Sequence, residues 1–191
     1  MPPKVKFGKE SVMESALTVV RERGLEALSA RSIAERLGCS TRPIYSVYDD
    51  MEKLKADLFN YANQFFGRYL ADFSAKENRT DSGFMKFGLA YIAFARAETN
   101  LFKMLFLSRN IDSESISDLV SPTAHAFILD TIPRGSGEAE DKSEIQQHFL
   151  DIWLYTHGLA TMAAFGGIDL PENEIMPMLT RVSKAFFARS K

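Results

Sequence analysis

The stretch that decides the fold is "SARSIAERLGCSTRPIYSVY", residues 29–48. Its first half carries three apolar residues at helical spacing, namely Ile33, Ala34 and Leu37. Ser29 or Ser32 can cap this eight-residue helix, and Gly38 ends it because glycine readily adopts the left-handed conformation after a helix C-terminus. A second short helix is predicted after Ser40, its expected N-cap. The pattern therefore predicts a helix-turn-helix.

The second short helix is expected to pack Ile44 and Tyr48 inward, which leaves its other face free for the major groove of DNA. Pro43 would be its third residue, where the missing N–H is one of the donors that lack a partner in any case. Arg42 suits phosphate or the O6 and N7 atoms of guanine, and phosphate is also favoured at a helix N-terminus. The predicted DNA-binding residues are Ser29, Arg31, Thr41, Arg42, Pro43, Tyr45, Ser46 and Lys53. An ordinary pair of core helices, with a solvated Arg42 and a half-buried Tyr45, is the alternative interpretation.

Helical periodicity also dominates the rest of the chain, and no stretch alternates as a strand would. The first helix is predicted from Glu10 to Arg23, with a stripe formed by Val12, Ala16, Val19 and Val20. A long helix from Met51 is predicted to bury Leu54, Leu58, Tyr61, Ala62, Phe65 and Tyr69. Further helices are predicted over 84–95, 113–130, 145–165 and 172–189. The fold class is therefore predicted to be all-α.

Composition limits the class of protein further. The 191 residues are enough to bury a core, and no apolar run approaches the roughly 18 residues that cross a bilayer. The first residues lack the apolar segment of a signal peptide, and a single cysteine, Cys39, fits a reducing compartment, so a cytoplasmic protein without membrane contact is expected. Residues 1–60 hold 10 Lys and Arg against 9 Asp and Glu. This balance permits a nucleic-acid partner without establishing one.

The order of these parts resembles the N-terminal domain of the TetR family of transcriptional regulators, over roughly residues 9–60. The match rests on a first helix that ends in Arg-Gly, on "IAERLGCS", on Tyr45 followed three residues later by an aromatic residue, and on Leu54. It implies a three-helix helix-turn-helix DNA-binding domain over 1–55 and a helical ligand-binding and dimerisation domain over 56–191. It also implies a repressor that a small ligand releases from a double-stranded operator.

Two positions depart from the family pattern. Val47 and Tyr48 stand where the family usually has a His-Phe pair, and Met51 stands where it usually has a Lys that contacts phosphate. Lys53 or Lys55 would take over that contact. Farther along, "IWLYTHGLA" at 152–160 is similar to the Trp…His-Gly signature of one C-terminal subgroup of the family.

Aromatic residues at helical spacing suggest a site for a hydrophobic or aromatic effector. The predicted ligand-binding residues are Phe87, Tyr91, Phe94, Phe106, Trp153 and His157. Tyr91, Trp153 and His157 would supply the few polar contacts that such a pocket needs. An aromatic core with a satisfied core histidine is the alternative interpretation. The last two helices carry small residues, which permit close helix packing, and the resemblance implies that they form the four-helix bundle of a homodimer.

Catalytic and metal-binding patterns do not emerge from the sequence. There is no Gly-rich phosphate loop, no Ser-His-Asp arrangement and no paired-carboxylate context. His148 and Asp151 share a helix face, but no second ligand pair accompanies them. We therefore expect no enzyme activity, no cofactor and no metal site. An activator or a ligand-independent regulator of the same fold stays open as an alternative, as does an all-helical carrier or enzyme.

Overall fold

The computed structural model describes residues 7–80, 82–108, 142–166 and 170–187, with side chains except at 142–149 and 186–187. All regular secondary structure in these ranges is helical, which confirms the predicted fold class. The α-helices are α1 (Lys9–Arg23), α2 (Ala30–Leu37), α3 (Arg42–Tyr45), α4 (Met51–Lys76), α5 (Gly83–Ala97), α6 (Thr99–Phe106), α7 (Lys142–Phe165) and α8 (Glu172–Phe187). The helix predicted over 113–130 lies outside the described residues.

Helix α1 buries the stripe that its sequence predicts, since the side chains of Val12, Ala16, Val19 and Val20 have no exposed surface. Gly24 follows it with φ at +84°, and its amide donates to the carbonyl of Val20 at 2.8 Å. The positive φ favours glycine, because a Cβ would be strained there.

Helix α4 is one uninterrupted helix of 26 residues. Its fully buried residues recur every fourth position and are Leu54, Leu58, Ala62, Phe66 and Leu70. Tyr61, Phe65 and Tyr69, which were expected on the inner stripe, are only half-buried. A repeat of four follows one face of a helix closely, so the apolar stripe is narrower than the sequence pattern indicated.

The chain divides into two compact units. In the described residues, the first unit holds 7–65 and 98–108, and the second holds 66–97, 142–166 and 170–187. Helix α6 therefore groups with α1, α2 and α3, although more than 30 residues separate it from the first part of its unit. The functional boundary predicted between residues 55 and 56 stays a prediction.

In the second unit, aromatic side chains of α5 form much of the core. Phe87, Tyr91 and Phe94 are buried, and Phe66 of α4 lies with its ring centroid 5.9 Å from that of Tyr91 and 4.8 Å from that of Phe94. Gly88 lies against α8, where an added Cβ would be 3.0 Å from Leu179 Cδ1. A glycine at this position lets the two helices approach closely.

Candidate nucleic-acid interface and effector site

Local hydrogen bonds fix the start of α2. Ser29 is its N-cap, because its hydroxyl accepts a hydrogen bond from the Ser32 amide at 3.1 Å. The Ser32 hydroxyl in turn accepts from the Ser29 amide at 3.0 Å, which completes a capping box. Of the two caps that the sequence allowed, the structure selects Ser29. Its hydroxyl supports the helix that carries the exposed side chain of Arg31.

Gly38 turns the chain between α2 and α3. Its φ of +65° and ψ of +35° are left-handed, and the next amide, that of Cys39, donates to the carbonyl of Ala34 at 3.0 Å. This closes the C-terminus of α2 in the way the sequence predicts. Ile33 of α2 and Ile44 of α3 are both fully buried.

Helix α3 is shorter than expected and begins one residue later. It spans only Arg42–Tyr45, and Thr41 is its N-cap, so the predicted cap at Ser40 is wrong. The Thr41 carbonyl accepts from the amides of Ile44 and Tyr45 at 3.1 and 3.3 Å, which places the first turn at Thr41. Pro43 is therefore the second helical residue, where its missing N–H still costs no intrahelical hydrogen bond. Four residues are too few for a substantial helix dipole, so the expected anion preference of this N-terminus loses its support.

The exposed face of this segment carries two arginines and an aromatic ring. Arg31, Arg42 and Tyr45 are exposed, and Tyr45 leaves 54% of its surface in solvent. Thr41 and Pro43 are half-buried, and the Ser46 hydroxyl donates to the Pro43 carbonyl at 2.6 Å. Within the described contacts neither Arg31 nor Arg42 forms an ion pair, whereas Arg36 pairs with Glu22 at 2.9 Å. The guanidinium groups of Arg31 and Arg42 are thus exposed, and no carboxylate among the described residues pairs with either of them.

The lysines at the start of α4 are already paired. Lys53 Nζ lies 2.7 Å from Asp49 Oδ2, and Lys55 Nζ lies 2.8 Å from Glu52 Oε1. The hydrogen bond from Lys53 lowers the pKa of Asp49, so this carboxylate is charged at neutral pH. Asp50 accepts from the Lys53 amide at 2.8 Å and caps α4. Exposed ion pairs of this kind are weak, so phosphate can compete with Asp49 for Lys53.

A cluster that the sequence did not predict ties α1 and Tyr48 to α4. Asp57 Oδ2 lies 2.6 Å from Lys9 Nζ and accepts a hydrogen bond from the Tyr48 hydroxyl at 3.0 Å. Lys9 also lies over the Tyr48 ring, 5.4 Å from its centroid. Lys9 and Tyr48 lower the pKa of Asp57, whereas burial and the bond to Asp57 raise that of Tyr48. Only the inward position of Tyr48 was predictable, since no local spacing links it to Asp57.

Helix α6 holds the C-terminus of α1 in the same unit. The guanidinium of Arg21 makes a two-point ion pair with Glu98, in which Nε lies 2.8 Å from Oε2, and it stacks 5.0 Å from the ring centroid of Phe65. Asn100 donates to the Arg21 carbonyl at 2.9 Å, which satisfies one of the last carbonyls of α1. Arg21 and Glu98 are 77 residues apart, so no local pattern in the sequence indicates the pair.

A polar cluster lies within the aromatic interior of the second unit. The hydroxyl of Tyr91 on α5 lies 2.9 Å from His157 Nδ1 on α7, and the rings of His157 and Trp153 stack with centroids 5.0 Å apart. Burial raises the pKa of Tyr91 well above its ordinary value and lowers that of His157. Both side chains are therefore uncharged at neutral pH. The Trp153 indole N–H makes no well-formed hydrogen bond, yet it faces the Tyr91 hydroxyl closely enough to oppose the rise in that pKa.

The structure brings five of the six predicted ligand-binding residues into one unit. Phe87, Tyr91, Phe94, Trp153 and His157 lie on α5 and α7 of the second unit. Phe106 instead belongs to α6 of the first unit, where its ring lies 5.2 Å from that of Phe102. The presence of five of these residues in one unit is compatible with an effector site on α5 and α7. The assignment of these residues to ligand binding stays a prediction.

One face of α7 exposes apolar side chains to solvent. These residues are Leu154, Tyr155, Met162 and Phe165. Leu154, Gly158 and Met162 follow each other at intervals of four, and a Cβ added at Gly158 would meet no atom within 4 Å. The result is an apolar stripe with an open position in its middle. Exposed apolar side chains that cluster on one helix face are typical of a protein contact.

The described ranges also bear on metal binding and membrane insertion. No group of three or more His, Cys, Asp or Glu residues there could hold a metal ion, and the His148 side chain lies outside the described residues. In the same part of the chain, no helix is both long enough and apolar enough to cross a membrane.

Comparison with known proteins identifies a family model and a similar solved structure. Residues 84–185 match the family model of the tetracyclin repressor-like C-terminal domain, which is more than half of the 191-residue chain. The chain is also similar to the crystal structure of a TetR-like transcriptional regulator from Rhodococcus sp. RHA1. The identity is 16%, the TM-score is 0.59, and the whole of both chains is covered. At that identity the likeness establishes the fold. No curated protein sequence matches the chain.

Proposed function

The chain belongs to the TetR family of transcriptional regulators, and from that premise we propose that it is a dimeric repressor whose operator complex dissociates when a small apolar or aromatic ligand binds. The family membership supports DNA binding and transcriptional regulation in general. Repression, release by ligand, dimerisation and a cytoplasmic location are the specific parts of the proposal.

The exposed face of α2 and α3 carries the proposal for DNA binding. Arg31, Arg42 and Tyr45 are each exposed to solvent, while Ile44 and Tyr48 are buried. Arginine forms two-point hydrogen bonds to guanine or to phosphate, and tyrosine can donate to either. Ser29, Thr41, Pro43, Ser46 and Lys53 complete the proposed contact surface.

A mobility-shift assay on the DNA upstream of the protein's own gene tests this surface. Arg42→Ala should weaken binding at least about tenfold, and it should lower the slope of log affinity against log salt by roughly 0.9 if the contact is to phosphate. Tyr45→Phe should weaken binding less, because only the hydroxyl is lost. Arg36→Ala is the matched control, since this exposed arginine of α2 already pairs with Glu22 of α1. Full binding by Arg42→Ala would contradict the placement of the DNA-facing surface.

The polar cluster of Tyr91, Trp153 and His157 supports a ligand site among apolar rings. Ligand pockets are mostly apolar with a few polar groups that orient the ligand. Ligand binding would favour a conformation in which the two DNA-binding segments of the dimer no longer match the spacing of the half-sites. If saturating ligand left operator affinity unchanged, this mechanism would be ruled out.

The exposed stripe of α7 supports a two-fold dimer. Leu154, Met162 and Phe165 could bury their apolar surface against the same stripe of a second copy, with Gly158 permitting close approach. A two-fold dimer also matches an operator with two symmetric half-sites.

Gene deletion separates a repressor from an activator. Loss of a repressor should raise transcription from the bound promoter, and loss of an activator should lower it. A carrier or an enzyme of the same fold would show no salt-dependent affinity for that DNA.

A further inference from the structure

The segment that carries Arg42 and Tyr45 is short, and two buried side chains hold it against its unit. Helix α3 has only four residues, Ile44 has no exposed surface, and Tyr48 is 5% exposed. The Ile44 carbonyl accepts hydrogen bonds from the amides of Val47 and Tyr48 at 3.0 and 2.9 Å. The backbone of Tyr48 is thus hydrogen-bonded into the last turn of α3, next to the side chains proposed to contact DNA.

The Tyr48 hydroxyl connects this turn to two other helices. It donates to Asp57 Oδ2 of α4 at 3.0 Å, and the same oxygen lies 2.6 Å from Lys9 Nζ of α1. Among the described side chains of residues 41–48, only Tyr48 makes a hydrogen bond that leaves the segment, since the Ser46 hydroxyl donates to a carbonyl within it. Apolar burial is non-directional, whereas a hydrogen bond to a charged acceptor is strong and directional. The hydroxyl therefore fixes the orientation of α3 in a way that apolar packing does not.

We propose that the Tyr48 hydroxyl is a positioning group for sequence reading, which holds α3 at the angle that aims Arg42 and Tyr45 at base edges. The inference rests on the proposed DNA binding and adds to it a buried residue that acts through its neighbours. Contacts to bases require side chains held within about 0.5 Å and 10–20° of the productive geometry, whereas contacts to phosphate carry no sequence information directly. Loss of the hydroxyl should therefore lower selectivity between DNA sequences more than it lowers general affinity for DNA.

The experiment compares operator DNA with unrelated DNA of the same length, after the wild-type full chain has been used to select the operator from random-sequence duplexes. Tyr48→Phe keeps the buried ring and removes only the hydroxyl. We expect its operator affinity to fall about 3- to 10-fold. Its affinity for unrelated DNA should stay within about twofold of wild type, with the same salt slope, because no charge is lost. Tyr61→Phe is the matched control, since it removes the hydroxyl of a half-buried tyrosine of α4 and should leave both affinities unchanged.

Substitutions at Asp57 test the same hydrogen bond from its acceptor side. Asp57→Asn retains a side-chain oxygen that can accept from Tyr48, whereas Asp57→Leu has none. We expect Asp57→Leu to lose selectivity as Tyr48→Phe does, and Asp57→Asn to remain closer to wild type. Both changes release Lys9, but a lysine contact to phosphate would strengthen binding to either DNA alike, so the ratio of the two affinities isolates positioning. In the Asp57→Leu background, Tyr48→Phe should cause no further loss of selectivity.

Wild-type selectivity in Tyr48→Phe would overturn the proposal. An equal drop on both DNAs would also overturn it, because a role limited to stability lowers the folded fraction and weakens binding to either DNA by the same factor. If Tyr48→Phe does not fold, the two Asp57 variants decide the question, and equal selectivity in them would contradict the proposal. Failure of the proposed function looks different, since the wild-type protein would then select no sequence from the random duplexes. That result would contradict both.

Discussion

At the scale of single residues, the proposed DNA-binding surface contains both unpaired and paired cations. Within the described contacts, Arg31 and Arg42 have no carboxylate partner, whereas Lys53 is held by Asp49 at 2.7 Å. Phosphate would compete with Asp49 for the Lys53 ammonium group, which has three N–H donors. Because the pair is exposed, breaking it costs little, but the nearby carboxylate still repels phosphate.

Asp49→Asn should therefore increase operator affinity. The change removes a negative charge beside the DNA and releases Lys53, so we expect binding about 2- to 5-fold tighter and a salt slope steeper by up to roughly 0.9. Mobility shifts at several salt concentrations measure both quantities. In the Lys53→Ala background the same change should give a smaller gain. An equal gain with and without Lys53 would show that this lysine does not contact phosphate.

At the scale of secondary-structure elements, neighbouring residues decide where a helix begins. Ser29 and Ser32 exchange hydrogen bonds and fix the first turn of α2. Ser40 has the same side chain in front of the next helix, yet Thr41 takes the N-cap position of α3. Both hydroxyl residues are compatible with a helix start, so the side chain alone does not select the N-cap; Ile44 of α3 is fully buried.

Ser29→Ala should lower the free energy of unfolding by about 1 kcal/mol, because it removes the acceptor of the Ser32 amide. Ser40→Ala is the matched control and should change stability by no more than a few tenths of a kcal/mol. Urea denaturation of both variants measures the difference. Equal losses would mean that the capping box contributes nothing specific to α2.

The close approach of α5 to α8 depends on Gly88. Gly88→Ala would place a Cβ 3.0 Å from Leu179 Cδ1, in a side chain with no exposed surface, so we expect a loss of about 1–3 kcal/mol from overpacking. Leu179→Ala alone should cost about 2–5 kcal/mol through the cavity it leaves. Combined, the two changes should cost clearly less than their sum, because the new methyl group fills part of that cavity. Additive losses in denaturation would contradict this contact.

At the scale of the whole molecule, the chain forms its two compact units from discontinuous segments. Helix α6 joins the unit that contains α1, and Arg21 and Glu98 link them across 77 residues of sequence. Helix α4 provides residues to both units, because the grouping changes between Phe65 and Phe66. The functional division predicted between residues 55 and 56 stays a prediction, and deletion variants that end on either side of it would test it.

The proposed dimer interface on α7 can be tested with charged substitutions. Met162→Glu combined with Phe165→Glu places two charges on the exposed apolar stripe of α7, so we expect a monomer in sedimentation experiments. Operator affinity should fall at least about tenfold, because one half-site no longer supports the other. Lys76→Glu changes an exposed charge on another helix and should leave the dimer intact. If the double variant stayed dimeric, the interface would lie elsewhere.

The sequence by itself determined the elements whose signals are local. The apolar stripe of α1, the eight residues of α2 and the left-handed turn at Gly38 are predictable, because caps, helical spacing and positive φ act within about four residues. The outward positions of Arg42 and Tyr45 follow from the inward position of Ile44 on the same short helix. Five of the predicted effector residues also share one unit.

Only the tertiary structure decided which distant side chains meet. Tyr91 and His157 are 66 residues apart, and Tyr48 lies in the segment between α3 and α4, nine residues before Asp57 of α4, so neither pair has a spacing that predicts it. Packing of α5 against α7 leaves the Trp153 N–H buried without a well-formed hydrogen bond. The sequence shows that polar groups lie among aromatic residues, but whether a buried donor has a partner depends on atoms that only the packed helices bring within hydrogen-bond distance.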